Sequence, residues 1–166
     1  MPRAAAAAAL LVAGLVVGYV LGVGTAERRI LEPVVTVRIG EAGLDFRARL
    51  DTGAVVSSVN AHDLEVVGGS GRPSLQDVGR EIRFTLVNDA GDERRLAARI
   101  AQVRGIRMAD CREVRYHVYL TVLFHGQAYR VLANLNDRSN AGDKLLLGRN
   151  WLYHGYAVGP VEELEL

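Results

Sequence analysis

Alternation of apolar and polar residues with a period of two runs through most of this chain, and one face of such a pattern is buried most readily in a β-sheet. Val34–Ile39 (VVTVRI) and Leu44–Leu50 (LDFRARL) alternate on either side of the turn-forming Gly40-Glu41-Ala42-Gly43, the pattern of a hairpin. The arrangement recurs twice. Ile82–Val87 and Leu96–Val103 flank the polar turn Asn88-Asp89-Ala90-Gly91-Asp92-Glu93, and Tyr116–Phe124 and Ala128–Leu135 flank His125-Gly126-Gln127. A further strand is expected over Val55–Val59, and the glycine-rich stretch from Glu65 to Gly79 reads as a surface loop. Only two helical pieces are expected, a turn near Ala61–Leu64 and a short helix from Arg149 to about His154. Many short strands and almost no helix predict an all-β barrel or sandwich.

The N-terminus obeys a different rule. Ala4 to Gly24 is 21 residues without a charge, enough helix to cross a hydrocarbon core of about 30 Å. Gly24 and Ala26 sit at the small-residue spacing of a cleavage site, so a cleaved signal peptide competes, but the apolar stretch is longer than the usual signal core of roughly 7–15 residues. The expectation is an uncleaved single-pass anchor over residues 1–26, a linker over 27–33 and one domain over 34–166. Arg3 precedes the segment and Arg28 and Arg29 follow it, so charge leaves its orientation open. Twenty basic against 19 acidic residues, a net charge of +1, provide no electrostatic footprint for nucleic acid. The single cysteine, Cys111, can form neither an intrachain disulfide nor a thiolate zinc site and reads as a small core residue.

Chemistry is concentrated at Leu50-Asp51-Thr52-Gly53-Ala54. An Asp followed by two small turn-forming residues at the end of a strand presents its carboxylate at the mouth of a tight turn, and Gly53 allows close backbone approach. Such a triplet arises by chance in roughly 3% of chains of this length, and an ordinary turn would explain it alone. A second feature adds to it: Leu145-Leu146-Leu147-Gly148-Arg149-Asn150-Trp151-Leu152, an apolar strand meeting a glycine and then a short helix.

Together, and in this order, these motifs resemble the retropepsin family of aspartic proteases. The resemblance implies a retropepsin-like barrel with one short C-terminal helix, in which the strand carrying Leu146 and Leu147 passes beneath Asp51 and the helix begins at Arg149. It implies Asp51 as the catalytic group, Thr52, Gly53 and Ala54 as the active-site loop, and Leu147, Gly148, Arg149 and Asn150 as its support. By the same correspondence the Ile82–Val103 hairpin would be a flap, with Asn88, Asp89, Ala90, Gly91 and Asp92 at its tip. A bacterial branch that goes by the label ATP-dependent zinc protease is more similar still, through Leu50–Ser58 (LDTGAVVSS), Arg112–Tyr116 and Leu135–Leu152. Neither cofactor in that label is expected, since the chain has no G-x-x-x-x-G-K-[ST] loop and no H-E-x-x-H, and His62, His117, His125 and His154 are scattered. One departure stands out. Retroviral members carry an acid after the Asp-Thr-Gly-Ala run that pairs with the helix arginine, and this chain has Val55 and Val56, so Arg149 needs another partner.

An aspartic protease needs two carboxylates sharing one proton. No other Asp here is followed by Thr/Ser-Gly, so the expectation is a homodimer that supplies Asp51 twice about a two-fold axis. A Tyr156–Val161 strand is a candidate dimer-sheet edge. The function implied is an aspartic endopeptidase acting on peptide or protein substrates. The resemblance places its soluble domain on the periplasmic side of a bacterial inner membrane. Two alternatives stand beside it: an inactive retropepsin-like domain that binds peptides as a membrane-anchored sensor, and a β-barrel assembly module with Asp51 in an ordinary turn.

Overall fold

A computed structural model describes residues 28–107 and 112–160. Six strands close a barrel: β2 (Val34–Ile39), β3 (Leu44–Leu50), β4 (Ser57–Val66), β8 (Arg112–Phe124), β9 (Gln127–Asn136) and β10 (Leu145–Leu147). The order runs β10-β3-β2-β8-β9-β4, and β4 returns to pair with β10, which closes the ring. Most neighbours are antiparallel, but β10 lies parallel to β3 and β4 parallel to β9. Outside the ring, β5 (Glu81–Val87) and β6 (Glu93–Arg99) extend the sheet from β4, and β7 (Gln102–Arg107) pairs with β8. The helix α1 (Arg149–Leu152) follows β10, and β1 (Arg29–Leu31) pairs in parallel with β11 (Tyr156–Val158).

The alternation read in the sequence decides which face is buried. Phe46, Ala48 and Leu50 of β3 point into the barrel and Asp45, Arg47 and Arg49 point out; Ile82, Phe84 and Leu86 do the same on β5. Trp151 of α1 is fully buried, stacked on Tyr156 at 4.7 Å and edge-on to Phe124 at 5.5 Å, so the helix closes one end of the core with aromatic surface. His125 and Gly126 both have positive φ, the two-residue turn whose twist matches a hairpin. The glycine-rich loop is tied down where Tyr116 donates to the buried carboxylate of Asp77 at 2.7 Å; burial and that hydrogen bond push the phenol up to about 12.

Four expectations need correction. Residues 61–64, expected to turn helically, lie inside β4, because their pairing with β5 outweighs a local preference of a few tenths of a kcal/mol per residue. A bulge between His62 and Glu65, with Asp63 at φ 52°, is the only trace of the expected turn. The strand expected over Val55–Val59 begins at Ser57, because the carbonyls of Ala54 and Val55 accept hydrogen bonds from α1 rather than from a sheet. Leu96–Val103 is two strands: Ile100 bonds Arg80 and Ala101 bonds His117, as the chain crosses from the edge of β5 to the edge of β8. Arg29–Leu31, expected to be linker, form β1 because β11 offers them a hydrogen-bonded partner. The apolar segment Ala4–Gly24, Cys111 and Val161 lie outside the described residues; among those described, no helix is long and apolar enough to cross a membrane.

Candidate active site

Asp51 sits where β3 ends, and the strand below fastens it there. Leu147 pairs with Leu50, and its carbonyl accepts the Asp51 amide at 2.9 Å; Leu50 is held from the other side by the Pro33 carbonyl at 2.8 Å. Leu146 and Leu147 thus run beneath the aspartate loop, as the resemblance to retropepsins implied. Inside the loop, Asp51 Oδ1 accepts the amides of Gly53 at 2.8 Å and Ala54 at 3.2 Å. A Cβ on residue 53 would stand 3.1 Å from that oxygen, so glycine keeps the turn tight. No hydrogen-bond partner of Asp51 Oδ2 is found among the described residues. Asp51 is half-buried, and Thr52 and Gly53 are exposed at the mouth of the turn.

The start of α1 grips the same loop. Arg149 and Asn150 donate their amides to the carbonyls of Ala54 at 2.8 Å and Val55 at 3.2 Å. This approach demands glycine at 148, where a Cβ would lie 2.9 Å from Ala54 O and 3.0 Å from the Val56 carbonyl carbon. The Asn150 side chain accepts from Ser57 N and Oγ and donates to Leu132 O, binding α1 to β4 and β9. Arg149, deprived of an acid by Val55 and Val56, donates from Nη1 to the Thr52 carbonyl at 3.4 Å. A backbone oxygen takes the place of the missing carboxylate.

The expected flap tip is placed differently. Asn88 is buried, donating to the Asp45 carbonyl and accepting the amides of Ala90 and Asp92. Asp89 uses both carboxylate oxygens, one on the Arg47 amide at 2.9 Å and one on the Lys144 amide at 3.1 Å. Ala90, Gly91 and Asp92 are exposed, but the turn beneath them is pinned to the start of β3. The hairpin expected to end in a free tip is fastened at that tip to the barrel wall.

Basic groups near the loop have no counterpart in the motifs. Arg138, half-buried, donates twice to the Asp143 carbonyl, and the charges of Asp143, Arg115, Arg49 and Asp51 all act on it; burial is the largest influence and lowers its pKa. Asp143, itself buried, takes Arg49 at 2.6 Å and Arg47 at 3.2 Å. The signal for Arg49 was its outward position on β3, two residues before Asp51. Arg138 carried no signal, because it reaches the site through a loop. Among the described residues no cluster of three His, Cys, Asp or Glu side chains is placed to hold a metal ion.

A profile of the RimB-like family, described as retropepsin-like aspartic endopeptidase RimB, matches residues 33–164. The chain belongs to that family. The match spans the barrel, the Asp51 loop and α1 together. Among solved structures, this RimB-like chain is similar to the crystal structure of Lpg0085 from Legionella pneumophila subsp. pneumophila str. Philadelphia 1, a DUF785 protein of unknown function. The identity is 23% and the TM-score 0.62, over 79% of this chain and 92% of that one, a likeness of fold. No curated protein matches the chain. The zinc-protease label is not the description this family carries.

Proposed function

We propose that this protein is an aspartic endopeptidase whose active unit is a homodimer, each subunit supplying Asp51. The observation that carries this reading is the Asp51 carboxylate: Oδ1 is used by its own turn, Oδ2 has no hydrogen-bond partner among the described residues, and β10 and α1 hold the loop through its backbone. In the dimer two such carboxyls share one proton. The ionised one takes a proton from water as its oxygen attacks the scissile carbonyl carbon, while the protonated one gives its proton to the carbonyl oxygen. Collapse of the tetrahedral intermediate then breaks the C–N bond: the departing amine takes up a proton from the protonated carboxyl, and one gem-diol hydroxyl returns its proton to the ionised one, which restores the dyad. Arg138 and Arg49, near the loop, favour a peptide with carboxylates beside the scissile bond, and cleavage of such a peptide should weaken as salt rises.

Support for pairing comes from the unfinished side of the molecule. Thr52, Gly53 and Val55 are exposed beside Asp51, Ile30 of β1 is 74% exposed, and the β1–β11 sheet has two strands among the described residues. The loop connecting β1 to β2 bonds Leu50, so a second copy added there adjoins Asp51. The deciding experiment mixes wild type with Asp51→Asn and measures peptide cleavage against subunit ratio. The dimer requires activity to fall with the square of the wild-type fraction, and a linear fall means that one chain suffices. We further propose that the apolar segment Ala4–Gly24 tethers the domain to the periplasmic face of a bacterial inner membrane. Digestion by added protease in spheroplasts tests this, and a protected domain refutes it.

A further inference from the structure

Beside the chain's entry into the barrel lies an open pocket of about 480 Å³ lined by Arg29, His125, Gln127, Tyr129, His154, Gly155 and Tyr156. Five elements of the fold meet there: β1 brings Arg29, the β8–β9 turn His125, β9 Tyr129, the segment after α1 His154, and β11 Tyr156. Among the described residues, the charged and titratable groups of its wall are one guanidinium, two imidazoles and two phenols, with no carboxylate. Arg29 forms no ion pair among the described residues, and it is close enough to Tyr156 for its charge to act on that phenol.

The two phenols supply the decisive observation. Tyr129 and Tyr156 hydroxyls lie 2.6 Å apart, and Tyr156 is almost wholly buried. Each neutral hydroxyl carries one proton, and one proton makes the bond between them. The other has no acceptor among the described residues, although both tyrosines line the pocket. Burial, followed by the bond to Tyr129, pushes Tyr156 up to about 12, so it remains a protonated donor at any physiological pH. A donor left over in a wall that holds three potential cations asks for a ligand that only accepts.

We propose that this pocket binds an oxyanion of the phosphate class, held by Arg29, His125, His154 and the spare proton of the tyrosine pair. Two sources offer that chemistry: a free phosphate group in solution and the headgroup of an anionic phospholipid. Only four residues separate Gly24 from Arg29, so if Ala4–Gly24 spans a bilayer, the pocket stands within about 18 Å of the membrane surface. The oxyanion site does not depend on catalysis by Asp51, although β1 and β11 also form the edge offered for pairing.

The test uses the full chain in uncharged maltoside micelles and follows its four histidine side chains by NMR while inorganic phosphate is added. Saturable shifts are expected at His125 and His154, with His62 and His117 still and serving as the check on folding. Affinity should weaken about tenfold in Arg29→Gln. Replacing both Tyr129 and Tyr156 by Phe should weaken it several-fold, because no hydroxyl proton is then left for the ligand. In a second arm the chain sits in phosphatidylglycerol nanodiscs without added phosphate. The same two shifts there identify the headgroup as a source, and shifts with inorganic phosphate alone identify a soluble ligand. The proposal is overturned if neither arm moves His125 and His154, or if Arg29→Gln leaves the shifts and their midpoint unchanged.

Discussion

Two loops of this molecule are written in nearly the same letters and do opposite things. Asp51-Thr52-Gly53-Ala54 and Asn88-Asp89-Ala90-Gly91 each set an acid beside small residues and a glycine after a strand. Asp51 gives one oxygen to its own turn, and its other has no hydrogen-bond partner among the described residues; Asp89 gives both oxygens to the remote amides of Arg47 and Lys144. The first loop is fastened from beneath through its backbone, by Leu147, Arg149 and Asn150, which leaves its carboxylate available. The second is fastened through its side chains, so its carboxylate is a structural part. What separates the two carboxylates here is where the neighbouring amides come from.

The sharpest way to break the comparison is to neutralise each acid in turn. Asp51→Asn should lower peptide cleavage by a factor on the order of 10³ or more while the thermal midpoint stays within a degree or two. If Asp51→Asn cleaves peptide normally, the carboxylate has no role in the reaction. Gly148→Ala comes next: its methyl group meets the Ala54 and Val56 backbone, and unfolding in urea should reveal a loss of roughly 2–3 kcal/mol. A stable, active Gly148→Ala would mean that the loop is not held from below.

Asp89→Ala should reverse the pattern of Asp51→Asn, costing about 1–2 kcal/mol of stability because two amides lose their acceptor, with cleavage by the folded fraction largely kept. Loss of activity without loss of stability would restore the hairpin to the role of a lid. Arg149→Met removes a single long bond to Thr52 O and should cost under about 1 kcal/mol, with a larger effect on turnover than on the melting temperature.

The smallest effect is one of pH. His117 is buried, and burial first, then the charges of Arg104 and Arg115, lower its pKa from 6.5. The folded state therefore binds the proton less readily than the unfolded chain. Its contribution to stability is complete above about pH 6.5 and falls as the pH drops below that value. Urea midpoints measured between pH 7.5 and 5.5 should decline in wild type and flatten in His117→Gln.

How much could be read in advance depended on how local the cause was. The hairpins at Gly40–Gly43 and His125-Gly126 were legible because period-two alternation and turn residues act within a few positions. The passage of Leu147 under Asp51 was legible only through the resemblance of two motifs to the retropepsin family. The break at Ile100 and the strand at residues 61–64 were not, since each follows from a hydrogen-bonded partner that local preference does not encode. The Thr52 carbonyl as the partner of Arg149 was equally hidden, because a backbone oxygen has no letter of its own.

By itself the sequence determined the all-β character, the inward face of each well-alternating strand and the presentation of Asp51 in a glycine turn, since side-chain period and backbone sterics decide these over short distances. Tertiary structure alone decided that β10 threads between β3 and β4, that Asp89 is tied down at both oxygens, and that Arg29 meets two histidines and a tyrosine pair. Each of these needs groups far apart in the chain, whose meeting is set by closure of the barrel and not by any local rule.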